Sequence, residues 1–239
     1  MQVPPVAPFA DTTALRRQVI DTCFLMRDRL GYFISTWGNM SVRVEEGLLL
    51  TPTRVEYEDL TPEDLCVVSL DGRQVKGTRT PTSETEMHRQ ILRARPDLGA
   101  LIHSHSTWAS TCACAQRAIP VLIDDMAMVV GGEVRCSRYV PAGRHKELAA
   151  AVCEALGDEA WAVLIANHGV IAGGRTLEEA VICCQFVEKA ARIFIQAEAI
   201  GGVRPIPEEL WREERHHYLF KYGKTEDLKD VLKAAPAER

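Results

Sequence analysis

The stretch WAVLIANHGVIAGG, Trp161–Gly174, decides the fold. Two short apolar runs are interrupted by Asn167-His168-Gly169, a polar tripeptide with the chemistry of a tight bend. Two strands therefore meet at that bend, and the bend presents an imidazole. Upstream, LGALIHSHS (Leu98–Ser106) is another short apolar strand running into a polar turn, with His103 and His105 at its end. Side chains two apart on a strand point to the same face, so these two imidazoles can chelate one ion.

Downstream, Thr176 followed by Glu179 has the form of a capping box and opens a helix over Leu177–Ile200, closed by Gly201-Gly202. Its apolar residues are continuous rather than striped, which predicts burial on more than one side. Pro205 and Pro207 introduce a last helix, Glu208–Tyr222, before a polar tail. Towards the N-terminus, residues 1–10 read as an arm, and Asp11 or Thr12 caps a helix that runs to Leu30 and stops at Gly31. SVRVEEGLLLTPT (Ser41–Thr53) and LCVVSLDGRQVKG (Leu65–Gly77) read as β-hairpins, broken at Glu45-Glu46-Gly47 and turning at Asp71-Gly72. Further helices are expected over Ser83–Arg95, Trp108–Arg117 and Arg144–Leu156, with an irregular strand at Val134–Val140. One domain is expected over residues 1–239, with a C-terminal helix and tail from residue 203.

A chain of 239 residues, 46% hydrophobic and 26% charged, buries roughly 70% or more of its unfolded surface without a structural metal or disulfide. Any bound ion is then catalytic. The net charge of −5 and the lack of a basic cluster argue against nucleic-acid and membrane-surface partners. The opening residues have no basic n-region or apolar h-region, so a cytoplasmic location is expected. The eight cysteines form no C-x-x-C pair and sit mostly among apolar neighbours, so they read as reduced core residues.

His168 can join His103 and His105 in one site, and three imidazoles suit Zn²⁺ or a similar borderline cation with a position left for substrate. TPTSETEMH (Thr80–His88) places Glu84 at a helix start, where a carboxylate can complete a metal shell, act as a general base, or favour the helix dipole. STWGNMSV (Ser35–Val42), TPTR (Thr51–Arg54) and Thr82-Ser83 supply backbone N–H and hydroxyl donors at element ends, a way to hold phosphate without a P-loop.

In order, G-N-x-S-V-R at Gly38–Arg43, T-P-T at Thr51–Thr53, T-S-E at Thr82–Glu84, H-x-H at His103–His105 and N-H-G at Asn167–Gly169 resemble the class II aldolase/adducin family, from Arg17 to Gly202. The likeness is greatest to members that cleave fuculose phosphate-like ketose 1-phosphates. It implies a single α/β domain with a central, mostly antiparallel sheet flanked by helices, and a cyclic homotetramer with zinc sites at subunit interfaces. It implies that His103, His105 and His168 bind zinc, with Mn²⁺ or Co²⁺ as alternatives, and that Glu84 alternates between metal ligand and proton-transfer base. Gly38, Asn39, Thr53, Thr82 and Ser83 would line the phosphate pocket.

Two departures bear on substrate. Arg54 stands where family aldolases commonly have glycine after T-P-T, so it either adds a charged phosphate donor or fills the pocket. The loop IPVLIDDMAMVVGG (Ile119–Gly132) lacks the tyrosine that serves the leaving fragment, and Asp124, Asp125, a water or Tyr139 takes that place. Tyr222, in the K-Y-G of Lys221–Gly223, is the candidate lid residue. The resemblance implies retro-aldol cleavage of a ketose 1-phosphate to dihydroxyacetone phosphate and an aldehyde. Epimerases, dehydratases and decarboxylases share the metal site, and non-catalytic adducin-like scaffolds share the fold.

Overall fold

The apolar runs pair into one sheet, as seen in a computed structural model that describes residues 3–222. Strand β1 (Asn39–Val44) turns through Glu45 and Glu46 into β2 (Gly47–Leu50), with Val44 opposite Gly47. Gly47 has φ +145°, and a Cβ there would lie 2.2 Å from the Val68 carbonyl oxygen, so only glycine fits this corner. Strand β3 (Cys66–Val68) pairs with β2 and turns at Ser69–Arg73 into β4 (Gln74–Lys76), an exposed edge strand. On the other side β1 pairs with β5 (Ala100–Ser104), and β5 with β7 (Gly169–Gly174), which forms a hairpin with β6 (Ala162–Ile165). The order is β4-β3-β2-β1-β5-β7-β6, every neighbouring pair antiparallel.

Helices cover this sheet. Helix α1 (Thr13–Phe24) is capped by Thr12, whose Oγ1 accepts from the Leu15 amide; it widens into a π-type turn at Leu25–Arg29 before Gly31. Helix α2 (Thr85–Ala94) packs on α4 (His145–Leu156) and on β1. Helix α3 (Thr107–Cys114) follows β5 and lies against α5 (Leu177–Ala199). The long α5 buries Ala180, Cys183, Cys184, Val187, Ala190, Ala191 and Phe194 between β7, α3 and the π-type turn Met126–Val130, as its unstriped pattern predicts. Each larger apolar side chain so buried contributes roughly 1.5–3 kcal/mol. Thr176 caps Glu179 as expected, but the Glu179 carboxylate reaches past it to the Arg175 amide at 2.9 Å.

Three expectations need correction. Val134–Val140 is not a strand: it touches the free edge of β6 at Cys136↔Leu164 and bridges Ile119 through Val134, because Pro120 and Pro141 bound the segments that would have to pair. Helix α2 begins at Thr85 rather than Ser83, leaving Glu84 at its N-cap. The last helix, α6, spans Glu208–Phe220 and ends before Tyr222. The tail beyond Tyr222 lies outside the described residues.

The cysteines behave as small hydrophobes: all are free among the described residues, five are buried, and burial pushes the Cys23 and Cys183 thiols up to about 12. No helix among the described residues is long and apolar enough to cross a membrane.

Candidate metal centre

Three elements deliver the histidines. His103 is on β5, fully buried between Asn39 of β1 and Ile171 of β7. His105 lies just beyond the end of β5, where its amide donates to the Tyr32 carbonyl at 3.0 Å. His168 sits in the β6–β7 bend, which closes because Asn167 adopts φ +56°, a left-handed conformation that Asn tolerates. Gly169 makes the approach possible, since a Cβ there would lie 2.5 Å from the Ser104 carbonyl and 2.8 Å from the His105 ring. Behind the H-x-H turn, buried Glu188 of α5 accepts from the Trp108 and Ala109 amides at 2.9 Å each, capping α3 and fixing the turn.

One nitrogen from each of the three rings lies within 4.8 Å of the others. His103 Nδ1 donates to the Val170 carbonyl at 3.1 Å, which leaves Nε2 as a bare lone pair, the form a metal ligand needs. That Nε2 faces His105 Nε2 at 3.1 Å and Glu84 Oε2 at 3.2 Å. Glu84 makes no capping bond to its helix; its carboxylate is turned to the rings, with Oε1 3.6 Å from His168 Nε2 and otherwise without a hydrogen-bond partner. Burial, then the neighbouring imidazoles, pushes His103 and His105 down to about 3, so both rings are neutral. Lone pairs and a carboxylate converge with too few protons between them. A divalent cation satisfies all of them at once, and the donor set therefore fits one.

Beside the rings opens a cavity of about 450 Å³, lined by Trp37, Gly38, Thr53, Arg54, Ser83 and His145 among others. Asn39, Thr82 and Glu84 also line it. The two threonine-rich segments that the sequence singles out are zipped together there: the Thr53 amide donates to the Thr80 carbonyl at 2.9 Å, and the Thr82 amide to Thr51 at 3.0 Å. Arg54 is exposed at φ +57°, and its guanidinium makes no hydrogen bond or ion pair among the described residues.

Residues 17–195 match the family described as Class II Aldolase and Adducin N-terminal domain. The chain belongs to this family. It is 38% identical over 176 residues to a 5-deoxy-D-ribulose 1-phosphate aldolase of Bacillus thuringiensis, covering 73% of this chain and 81% of that protein. A 5-methylthioribulose-1-phosphate/5-deoxyribulose-1-phosphate aldolase of Rhodospirillum rubrum is 35% identical over 224 residues, covering 94% and 97%. A solved L-fuculose 1-phosphate aldolase superposes with a TM-score of 0.82 at 29% identity, over 90% of this chain and 99% of that one. The chain is thus a class II aldolase-family enzyme, a metal-dependent aldehyde-lyase.

Two expected site residues are not brought to the histidines by the same copy of this class II aldolase chain. Asp125 and Tyr222 line a separate cavity of about 420 Å³ with Met128, Arg175 and Tyr218. Asp125 is ion-paired with Lys189, and the Tyr222 ring lies edge-on to His217 and tilted against Tyr218 at the end of α6. The reason is the docking of α6: buried Arg215 stacks 3.9 Å from the Trp161 ring centre and donates to the Met128 and Val129 carbonyls, which pins the helix to the π-type turn after Asp125. Sequence reading also missed residues. His88 sits four positions after Glu84 on one face of α2, a spacing that could have drawn notice; Glu188 and His145 carry no local signal.

Proposed function

We propose that this chain is a zinc-dependent aldolase that cleaves a ketose 1-phosphate to dihydroxyacetone phosphate and an aldehyde, working as a cyclic homotetramer. The observation that carries the reading is the orphaned Glu84 carboxylate oxygen among three converging imidazoles, beside a cavity with hydroxyl and guanidinium donors. His103, His105 and His168 would hold the ion, with Glu84 as a fourth, exchangeable ligand; Zn²⁺ suits three imidazoles, and Mn²⁺ or Co²⁺ can replace it. When bound, the ion supplies Lewis acidity towards the ketose carbonyl and its neighbouring hydroxyl. Thr53, Thr82 and Ser83 offer hydroxyls and Arg54 a cation to the phosphate, with Gly38 and Asn39 framing the pocket. Glu84, displaced by substrate, returns a proton to the carbon that the broken bond leaves behind.

The substrates named for the relatives, deoxypentulose and fuculose phosphates, support a ketose 1-phosphate of five or six carbons. Asp125 and Tyr222 would serve the aldehyde side from a neighbouring copy. Exposed Trp37, 68% accessible in the lining of the histidine cavity, and exposed Ile34, 63% accessible and bridged to it, support coverage of that rim by another subunit.

Zinc-loaded protein incubated with 5-deoxy-D-ribulose 1-phosphate and with L-fuculose 1-phosphate should release dihydroxyacetone phosphate from at least one, and a chelator should stop it. Glu84→Gln should keep its metal while exchange of the dihydroxyacetone phosphate C–H with solvent slows about 10²–10⁴-fold. No triose phosphate from either sugar would sink the aldolase reading; unchanged exchange in Glu84→Gln would remove the base role.

A further inference from the structure

Beside Glu84, buried polar groups on α2 and β1 form a line that supplies no metal ligand. Ser41 and His88 are fully buried and Asn39 nearly so. Ser41 Oγ lies 2.8 Å from His88 Nδ1, His88 Nε2 lies 2.6 Å from Asn39 Oδ1, and Asn39 Nδ2 lies 2.7 Å from Glu84 Oε2. Two spacings build it. Glu84 and His88 are four apart on α2, Asn39 and Ser41 two apart on β1, and the helix packs on the strand.

The polarity of the line follows from its end. Glu84 Oε2 accepts from Asn39 Nδ2, so the Asn39 nitrogen faces Glu84 and the Asn39 oxygen faces His88. That oxygen also only accepts, so His88 carries its proton on Nε2, and its bare Nδ1 takes the Ser41 hydroxyl. Every donor points towards Glu84. Burial pushes His88 down to about 3, so it stays uncharged and acts as a fixed dipole rather than as an acid or base. Without it, only the contact to Glu84 itself opposes a turn of the Asn39 amide that would set oxygen against oxygen there.

We propose that His88 is a positioning residue: through Asn39 it fixes an N–H on Glu84 Oε2 and so aims the free Oε1 at the histidine centre. The kinetic part rests on the aldolase reading above; the hydrogen-bond polarity does not. In metal-free protein, ¹⁵N imidazole spectra should show His88 as the Nε2–H tautomer, its signals assigned by their loss in His88→Gln. The Nδ1–H tautomer would overturn the proposal.

In zinc-saturated protein, His88→Leu should slow exchange of the dihydroxyacetone phosphate C–H by about 10–100-fold with KM for that compound unchanged. His88→Gln, whose amide nitrogen reaches the place of Nε2, should recover most of the rate. A Leu variant as fast as wild type, or a Gln variant as slow as Leu, also counts against it. If His88→Leu does not fold, a Gln variant slowed tenfold or more counts against it too. If wild-type protein exchanges nothing, the aldolase reading falls, and the tautomer alone decides whether His88 orients Asn39.

Discussion

Around Glu84 each group is held by a partner fixed in the fold: His103 by the Val170 carbonyl, His105 by Tyr32, the H-x-H turn by Glu188, Glu84 by Asn39. Around Asp125 the groups are held from beside, by other surface charges. Asp125 pairs with Lys189, their side chains 39% and 51% exposed, and Tyr222 is 60% exposed. Exposed ion pairs of that kind contribute at most about 1 kcal/mol and fix little geometry. The first cavity is preorganised by buried hydrogen bonds, whereas the second is framed by exposed side chains. Under the proposed function the contrast divides the labour: metal and proton chemistry would fall to the first cavity, and closure over the aldehyde to a neighbouring subunit's surface.

The contrast breaks most sharply with His168→Ala. Loss of an imidazole from a three-histidine set should remove the ion and lower turnover by about a thousandfold or more, the scale of losing charge stabilisation in a transition state. Asp125→Asn should cost less, about a hundredfold, the scale of one proton-transfer group. If the two cavities meet across a subunit boundary, co-expressed His168→Ala and Asp125→Asn chains should form mixed oligomers with activity that neither variant has alone, measured as triose phosphate release. Mixed oligomers no better than Asp125→Asn alone would mean that each copy works by itself, and the division of labour would fall.

The same division explains what could be read from the sequence. The H-x-H at the end of β5, the N-H-G bend and the two hairpins are local patterns, each encoded within a dozen residues, and they placed the sheet and brought the three histidines to one end of it. The Asn39–His88–Glu84 line and the Glu188 cap join residues 45 to 80 positions apart, and no periodicity marks such pairs. The position of Asp125 and Tyr222 depends on how α6 docks through Arg215 onto Trp161, a tertiary choice invisible in either segment. Val134–Val140 makes only isolated bridges at Val134 and Cys136, and the local signal against a strand there was the pair Pro120 and Pro141.

Gly169 lies where local pattern and tertiary fit coincide, so it sharpens the contrast at the next scale down. In Gly169→Ala the new methyl would meet the Ser104 carbonyl at 2.5 Å, and backbone cannot swing aside as a flexible side-chain tip can. Overpacking of this kind costs about 1–3 kcal/mol, so Tm should fall by roughly 2–12 °C. Because the same methyl presses on the His103 and His105 rings, metal affinity should fall about 10–100-fold, as when the supports of metal ligands are disturbed. Calorimetry and metal titration separate the two effects. A fall in Tm with unchanged metal affinity would mean that the rings tolerate displacement, and the first cavity would be less rigid than its hydrogen bonds imply.

The smallest effect concerns the one part of the first cavity that resembles the second, an exposed charge on a loop. Arg54 holds φ +57°, a conformation that costs a residue with a Cβ roughly 1–2 kcal/mol and glycine almost nothing. Its guanidinium has no partner among the described residues to offset that cost. A strained, unpaired cation beside the cavity is understandable if a substrate phosphate supplies the missing partner, since a hydrogen bond to a charged group is worth about 1.5–3 kcal/mol. Arg54→Gly should therefore move stability and affinity in opposite directions: Tm rises slightly, while KM for a ketose 1-phosphate rises about tenfold. Competition by inorganic phosphate should weaken in parallel. If KM and phosphate competition stay as in wild type, Arg54 points away from the phosphate, and the threonine and serine hydroxyls of the zipped loops hold it unaided.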